Sequence, residues 1–243
     1  MALALKEGKD FEWKSYCYGL KKGTMKFILN STLDTLPTKT NLLKWGKSPT
    51  NKCPLCGFQQ TTLHILNGCK VFLHQGRFTW RHDNILHYID QCLDKNQFEV
   101  YVDIEEMKFQ NVGTVPPKIT VTPDRPDIVI VNNKSKESTI FELTVPFGPN
   151  IDERHAFKQN KYAYIETDSR DYRTSIIALE VGSRGYISSD NIKRLKILHK
   201  FCKRGTPFKK FRDNLSSLAV TSSYYLSIAR NEPQWELPST LEP

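Results

Sequence analysis

The feature that most constrains this chain is the stretch CPLCGFQQTTLHILNGC at residues 53–69. It holds three of the six cysteines and one histidine, spaced Cys-x2-Cys-x7-His-x4-Cys. Zn²⁺ prefers four Cys or His ligands in a tetrahedron, and a Cys-x2-Cys pair lets two thiolates face one ion. The pattern therefore predicts a closed, structural zinc site held by Cys53, Cys56, His64 and Cys69.

The residues between these ligands fit a compact knuckle. Gly57 follows the first cysteine pair, where the chain must turn sharply, and TTLHIL predicts a short helix that carries His64 and ends near Gly68. A knuckle this small depends on its metal for much of its folding free energy. The remaining cysteines are isolated and are expected to be ordinary buried side chains: Cys17, Cys92 and Cys202.

The charge balance indicates a polyanionic partner. The 35 Lys and Arg exceed the 26 Asp and Glu, giving a formal charge of +9, and cations that neutralise phosphates release bound counterions. A basic protein without a nucleic-acid role is the alternative. The run KRLKILHKFCKRGTPFKKFR could follow DNA or act as a nuclear-import patch.

Apolar patterning bears on cellular location. No apolar run is long enough to cross a membrane, and the opening MALALKEGKD lacks the longer apolar core of a signal peptide. We therefore expect a cytosolic or nuclear protein, with the nucleus favoured, whose thiols stay reduced. Clustered cysteines in such a protein favour metal binding over disulfides.

Helical and strand patterns divide the chain into four segments. We predict a helical N-terminal segment at 1–50, the zinc knuckle at 51–75, a larger core at 76–208, and a C-terminal helix and tail at 209–243. The core opens with an amphipathic helix in GRFTWRHDNILHYIDQCLDK. Its alternation of helices and strands predicts an α/β fold.

Two short apolar runs in the core predict a β-hairpin. DIVIVNN and STIFELTVP are joined by the turn-rich NNKSKE. The proline-rich residues 108–126 predict a loop with room for an edge strand, and RTSIIALEVG predicts a further buried strand. Helices are predicted at 153–166, 188–205 and 210–230.

The predicted hairpin places two carboxylates opposite each other. A pairing centred between Lys134 and Ser135 sets Asp127 against Glu142, with Cβ atoms about 5 Å apart. Two carboxylates that close repel each other unless a proton or cation lies between them, and a buried unpaired charge is costly. We therefore predict a site for Mg²⁺ or Mn²⁺ at these two acids, because hard cations bind carboxylates, phosphate and water.

Basic residues on the following helix complement this pair. Arg154, Lys158 and Lys161 recur at spacings of four and three residues, so they share one helix face. A lysine facing the carboxylates could position an attacking water and offset charge on a phosphate, as phosphodiester hydrolysis requires. The alternatives are a strand-start aspartate, a solvent-facing glutamate and a solvated basic face.

Further nucleic-acid contacts are predicted just beyond the knuckle. Arg77, Arg81 and His82 could follow a phosphate backbone, whereas Trp80 could stack on a base or pack inside the protein. The knuckle itself could touch nucleic acid or act only as a structural staple.

The combination of RPDIVIV, FELTVP and KQNKY resembles the restriction-like PD-(D/E)XK endonuclease of site-specific non-LTR retrotransposons. That nuclease lies at the C-terminal end of a reverse-transcriptase polyprotein, behind a CCHC zinc knuckle with similar spacing. LPTKTNLLKWGK and GRFTWRHDNIL also resemble family segments, so the likeness spans residues 35–190. It implies a restriction-endonuclease-like core, with a mixed sheet flanked by helices, behind a helical segment and the knuckle.

Matched residue by residue, the resemblance makes Asp127 and Glu142 the metal-binding acids. The usual lysine position of the motif, two residues after the second acid, holds Thr144 here. The resemblance places the lysine instead in a K-x-x-K-Y pattern at residues 158–162. Lys158 is then the favoured catalytic lysine and Lys161 the alternative. The remaining expected nucleic-acid contacts are Arg125, Arg154 and Tyr162.

The resemblance implies a metal-dependent endonuclease that nicks one strand of target DNA and leaves a 3′ hydroxyl that primes reverse transcription. Its expected partners are the DNA target, RNA as an alternative, and a reverse-transcriptase domain in the same or a parent polyprotein, with no role for a membrane. A non-catalytic zinc-knuckle module that only binds nucleic acid is the competing prediction. A zinc-stabilised protein-interaction domain without nucleic-acid affinity is the third.

Overall fold

The computed structural model describes residues 19–104, 114–147, 162–169, 171–236, 238–239 and 241. Within these ranges the chain forms a four-stranded mixed sheet flanked by helices, which agrees with the predicted α/β class. None of the described helices combines the length and the apolar character needed to cross a membrane.

The sheet follows the order of the chain. Its strands are β1 (Glu99–Val102), β2 (Ile128–Asn132), β3 (Glu137–Thr144) and β4 (Arg173–Glu180). The first three form an antiparallel meander, and β4 joins β3 in parallel. The hairpin of β2 and β3 is confirmed in its predicted register, with Ile128 opposite Phe141 and Asn132 opposite Glu137.

Helices cover the sheet and form the N-terminal part of the described chain. They are α1 (Lys22–Thr32), α2 (Lys39–Lys44), a π-helical turn (His64–Gly68), α3 (Lys70–His74), α4 (Arg77–Cys92), α5 (Ala163–Asp168), α6 (Ser189–His199) and α7 (Phe208–Ile228). The helix predicted at 188–205 is α6, which ends earlier, at His199; the Ser188 hydroxyl caps it by accepting a hydrogen bond from the backbone N–H of Asn191. The last helix is also confirmed, within two residues at each end.

Several predicted boundaries differ from the structure. The helical prediction for the N-terminal segment is broken between α1 and α2, where Asp34 adopts a φ of 53°. The edge strand of the sheet is β1, at Glu99–Val102, rather than part of the proline-rich loop, whose described residues 114–126 contain no strand. Much of the helix predicted at 153–166 lies outside the described residues, and its described end belongs to α5.

Side chains of the hairpin alternate between hydrophobic clusters on the two faces of the sheet. Ile128 and Phe141 pack with α4, α6 and α7 on one face, whereas Val129 and Ile140 pack with Tyr162 on the other. A third cluster lies between α1, the cysteine-rich segment and the end of α7. Because α7 contributes to the first and third clusters, it joins the sheet to the cysteine-rich segment.

Candidate functional site

The first cysteine pair lies in a tight turn. The backbone N–H of Cys53 donates to the carbonyl of Phe58 at 2.7 Å, and that of Gly57 donates to the carbonyl of Cys53 at 2.9 Å. Gly57 adopts a φ of 76°, which glycine tolerates without a steric penalty. The predicted sharp turn after the cysteine pair is therefore confirmed.

The four predicted ligands meet in one cluster. The Sγ atoms of Cys53, Cys56 and Cys69 and a ring nitrogen of His64 all lie within 4.8 Å of one another. Cys56 Sγ is 3.3 Å from His64 Nε2 and 3.8 Å from Cys69 Sγ. A tetrahedral zinc site with Zn–S bonds of about 2.3 Å has S–S edges of about 3.8 Å. This Cys₃His cluster could therefore hold a metal ion, and its spacing is consistent with zinc.

Burial and local hydrogen bonds set the ionisation of these ligands. Burial raises the pKa of Cys69 to about 11, so a cation is needed to ionise this thiol at neutral pH. Burial also lowers the pKa of His64, which keeps its imidazole neutral, as a metal ligand must be. For Cys53, burial opposes ionisation, but hydrogen bonds from the backbone of Leu55 and Cys56 outweigh it and lower the pKa.

Asp127 and Glu142 lie side by side where β2 begins and β3 ends. The paired residues end at Ile128 and Phe141, and Asp127 and Glu142 come one position beyond that pair. Both are buried. The two acids therefore oppose each other, as the sequence register predicts.

Each of these carboxylates accepts a backbone hydrogen bond from the opposite strand. Asp127 Oδ2 accepts from the N–H of Leu143 at 2.6 Å, and Glu142 Oε1 accepts from the N–H of Asp127 at 3.2 Å. Hydrogen bonds to a carboxylate favour its charged form and offset part of the free energy lost on burial. The reciprocal bonds also fix the two side chains against the strand ends.

His82, in the first half of α4, contacts the same aspartate. Its Nε2 lies 3.3 Å from Asp127 Oδ2 and 3.3 Å from the carbonyl oxygen of Leu143, and its Nδ1 lies 3.2 Å from Asp83 Oδ1. Burial disfavours the charged ring, but Asp127 and then Asp83 outweigh burial and raise the pKa of His82 to about 10. An imidazolium therefore neutralises Asp127, a pairing that the sequence analysis missed.

Tyr162 borders the acid pair on the opposite side. Its side chain is fully buried, and its hydroxyl donates to the carbonyl of Arg125 at 3.3 Å and contacts the Glu142 carboxylate. Burial and the charges of Glu142 and Asp127 raise the pKa of Tyr162, so the hydroxyl keeps its proton. The expectation that Tyr162 contacts nucleic acid does not fit this placement, because the ring is enclosed by protein.

Arg77 and Arg81 also lie inside the protein, contrary to the expectation that they contact nucleic acid. Arg77 donates to two carbonyls beyond the end of α7, at 2.9 and 2.6 Å. Arg81 donates to the carbonyls of Leu66 and Val145 at 2.8 and 3.2 Å, and burial lowers its pKa to about 9. Both guanidinium groups therefore hold together segments that are distant in sequence.

Trp80 takes the packing role that the sequence left open. Its ring lies edge-on to Tyr225 and Trp235, with centroids 6.1 and 5.7 Å apart. Its Nε1–H donates to the carbonyl of Pro238 at 3.0 Å, so no stacking face is presented to a base.

The other predicted site residues are less constrained. Arg125 is partly exposed and forms an ion pair with Asp103, and its contact with nucleic acid stays a prediction. The Thr144 hydroxyl donates to the carbonyl of Leu179 at 3.5 Å. The predicted basic residues of the following helix lie outside the described residues: Arg154, Lys158 and Lys161.

The Cys₃His cluster and the acid pair are joined by a short polar connection. Asn67, between the third and fourth ligands, donates from Nδ2 to the carbonyl of Val145 at 2.9 Å. Arg81 bridges the same carbonyl to that of Leu66. Val145 lies three residues after Glu142, so the ligand-bearing turn braces the strand that carries this acid.

The two centres differ in completeness. Among the described residues, the Cys₃His cluster is the one group that brings at least three Cys, His, Asp or Glu ligand atoms within 4.8 Å of one another. The acid pair offers two carboxylates and not a full coordination cage. No protein-family model matches the chain, and no curated protein matches it.

Proposed function

We propose that this chain is a metal-dependent DNA endonuclease that nicks one strand of its target. The observation that carries the proposal is the pair of buried, opposed carboxylates of Asp127 and Glu142. Two carboxylates suit Mg²⁺ or Mn²⁺, because Mg²⁺ sites commonly use one or two acids and complete the shell with water and phosphate oxygens. An incomplete protein cage is therefore what such a site requires.

The proposed chemistry assigns each residue one task. Asp127 and Glu142 would hold a divalent cation, which would lower the pKa of a bound water and offset charge on the phosphate. Lys158, with Lys161 as the alternative, positions the attacking water. The water oxygen bonds to phosphorus as the P–O3′ bond breaks, and the 3′ oxygen takes up a proton, which leaves a 3′ hydroxyl and a 5′ phosphate.

The position of Tyr162 supports this assignment of the lysines. Tyr162 contacts Glu142 and directly follows Lys161 in the sequence. The segment that contains both candidate lysines therefore leads into a residue fixed at the acid pair.

We further propose that Cys53, Cys56, His64 and Cys69 hold a structural Zn²⁺. Four ligands complete a tetrahedral shell and leave no open position for a substrate. The separations of 3.3 and 3.8 Å from Cys56 Sγ to two other ligand atoms support this assignment. The bonds from Asn67 and Arg81 to Val145 favour the role of a structural staple.

The resemblance to non-LTR retrotransposon nucleases supplies the proposed setting. It implies a PD-(D/E)XK core behind a CCHC zinc knuckle, acting in the nucleus on a DNA target. It also implies a reverse-transcriptase domain as a partner in the same or a parent polyprotein, with RNA as a further ligand.

A non-catalytic nucleic-acid-binding module is the second candidate. It is favoured by the pairing of the acids within the protein, because His82 neutralises Asp127 and both carboxylates accept backbone hydrogen bonds. The charge of Asp127 is thus compensated without a metal cation. Thr144 at the usual lysine position also favours the non-catalytic binding module.

Nicking of supercoiled plasmid by the zinc-loaded protein tests the proposal. We expect open circles with Mg²⁺ or Mn²⁺ and none with EDTA, and we expect Asp127→Asn to lower the rate by about 10² or more. Glu137→Gln is the matched control, because it neutralises an exposed carboxylate at the other end of β3. Lys158→Ala and Lys161→Ala then separate the two lysines.

Equal nicking by wild type and Asp127→Asn would overturn the nuclease assignment. DNA binding without cleavage in any metal would favour the binding module instead.

A further inference from the structure

The positive charge of this chain is concentrated in one segment. Residues 192–212 contain nine Lys and Arg and no Asp or Glu. Removing these nine from the 35 Lys and Arg leaves 26, which equals the 26 Asp and Glu. The whole net charge of +9 therefore resides in 21 consecutive residues.

Most of these cations are free of carboxylates. Lys193, Arg194 and Arg212 pair with acids at the margins of the segment. The other six are exposed and form no ion pair with a described carboxylate, and we call them the basic surface: Lys196, Lys200, Lys203, Arg204, Lys209 and Lys210. A set of like charges this dense repels itself until a polyanion binds.

The basic surface runs from the end of α6 through a well-anchored loop to the first turn of α7. The backbone N–H of Lys203 donates to the carbonyl of Cys92, the last residue of α4, at 2.9 Å. His199 Nε2 lies 2.9 Å from the carbonyl oxygen of Thr206, and Phe201 packs against the core. Little conformational entropy of the loop backbone remains to be lost on binding.

The N-terminus of α7 adds to the positive electrostatic potential of the basic surface. Its first turn holds Lys209 and Lys210 and no acidic residue, and it begins after Pro207 without a side-chain cap. Because a helix N-terminus carries partial positive charge, two lysines there are unfavourable until an anion is nearby.

We propose that the basic surface binds the phosphate backbone of duplex DNA at a position separate from the acid pair. Ten residues of α4 separate His82, at Asp127, from Cys92, at Lys203, which is about 15 Å along the helix. Duplex DNA advances 3.4 Å per base pair, so for a duplex lying along α4 this distance corresponds to about four base pairs. The choice of DNA rests on the proposed function.

DNA binding in EDTA tests this inference without cleavage. Fluorescence anisotropy of a labelled 30-base-pair duplex is measured across salt concentrations with wild type and the fourfold Ala variant of Lys200, Arg204, Lys209 and Lys210. We expect at least about tenfold weaker binding, and a salt slope reduced by about 3 to 4, because each lost phosphate contact removes about 0.9.

The matched control removes the same charge elsewhere. The fourfold Ala variant of Lys21, Lys22, Lys44 and Lys47 changes exposed lysines near α1 and α2, and α1 packs against the far end of α7 at Tyr224. We expect this variant to change the salt slope by less than about one. Zinc content and circular dichroism establish that both variants are folded.

Equal losses of DNA affinity in the two fourfold variants would overturn the proposal, since binding would then depend on net charge alone. Unchanged binding in the basic-surface variant would also overturn it and favour a nuclear-import patch. Preferential binding of single-stranded RNA through the basic surface would overturn the duplex assignment. If the protein fails to nick DNA but still binds it through the basic surface, the proposed nuclease is refuted and this inference stands.

Discussion

The Cys₃His cluster and the acid pair are built in opposite ways. All four ligands of the cluster come from 17 consecutive residues, whereas the acid pair combines two strands with His82 from α4 and Tyr162 beyond the hairpin. The cluster contains a thiol, Cys69, whose raised pKa of about 11 keeps it protonated at neutral pH unless a cation is nearby. The acids already have an imidazolium and backbone donors. We therefore expect the cluster to need a cation for folding, whereas backbone donors and His82 hold the acid pair in place without one.

The largest effect that this comparison predicts is at Cys69. Cys69→Ser should lower bound zinc from one ion per chain to less than one and lower the free energy of unfolding by more than about 4 kcal/mol, because loss of a structural metal is among the most destabilising changes. Metal analysis and urea unfolding measure these two quantities. Cys202→Ser, a half-buried cysteine outside the cluster, is the control and should keep the zinc. A zinc-free Cys69→Ser variant with the unfolding free energy of wild type would show that the cluster does not need a metal to fold.

A smaller effect is predicted for the internal cation of the acid pair. His82→Asn should lower the free energy of unfolding by about 1–3 kcal/mol at pH 6, because Asp127 loses a charged hydrogen-bond partner. His82 has its pKa raised to about 10 from an ordinary 6.5. Its contribution is therefore complete below pH 6.5 and is lost as the pH rises towards 10.

Urea unfolding at pH 6 and pH 10, without added divalent cations, checks this prediction. The difference in unfolding free energy between wild type and His82→Asn should be smaller at pH 10 than at pH 6. His87→Asn, on the same helix and without a described carboxylate contact, should change the unfolding free energy by less than about 1 kcal/mol. A difference in unfolding free energy that grows with pH would refute the pairing of His82 with Asp127.

The smallest effect is predicted for the connection between the two centres. Asn67→Ala removes the hydrogen bond to the Val145 carbonyl and should lower the free energy of unfolding by about 0.5–1 kcal/mol, because Asn67 is exposed. Zinc content should stay at one ion per chain. Faster amide hydrogen exchange at Leu143 and Val145 would show that the connection braces β3, and unchanged exchange would argue against it.

Local patterns predicted the elements that depend on local chemistry. The Cys₃His cluster could be predicted because its ligands are close in sequence, and the hairpin register followed from the alternation in β2 and β3. His82 lies 45 residues before Asp127, and no local pattern indicates that pairing. The sequence predicted exposed side chains for Arg77 and Arg81 because charged side chains are usually exposed, whereas here they donate to buried carbonyls. β1 has only four residues, too few to show a clear strand pattern.

Binding of Mn²⁺ to the zinc-loaded protein tests directly whether Asp127 and Glu142 form a metal site. The number of bound ions is obtained from the decrease in the electron paramagnetic resonance signal of free Mn²⁺. It is measured with and without a short DNA duplex. We expect one bound Mn²⁺ per chain in wild type and in Glu137→Gln, with tighter binding in the presence of DNA, and none in Glu142→Gln. Equal Mn²⁺ binding by Glu142→Gln and wild type would show that Asp127 and Glu142 do not form a metal site.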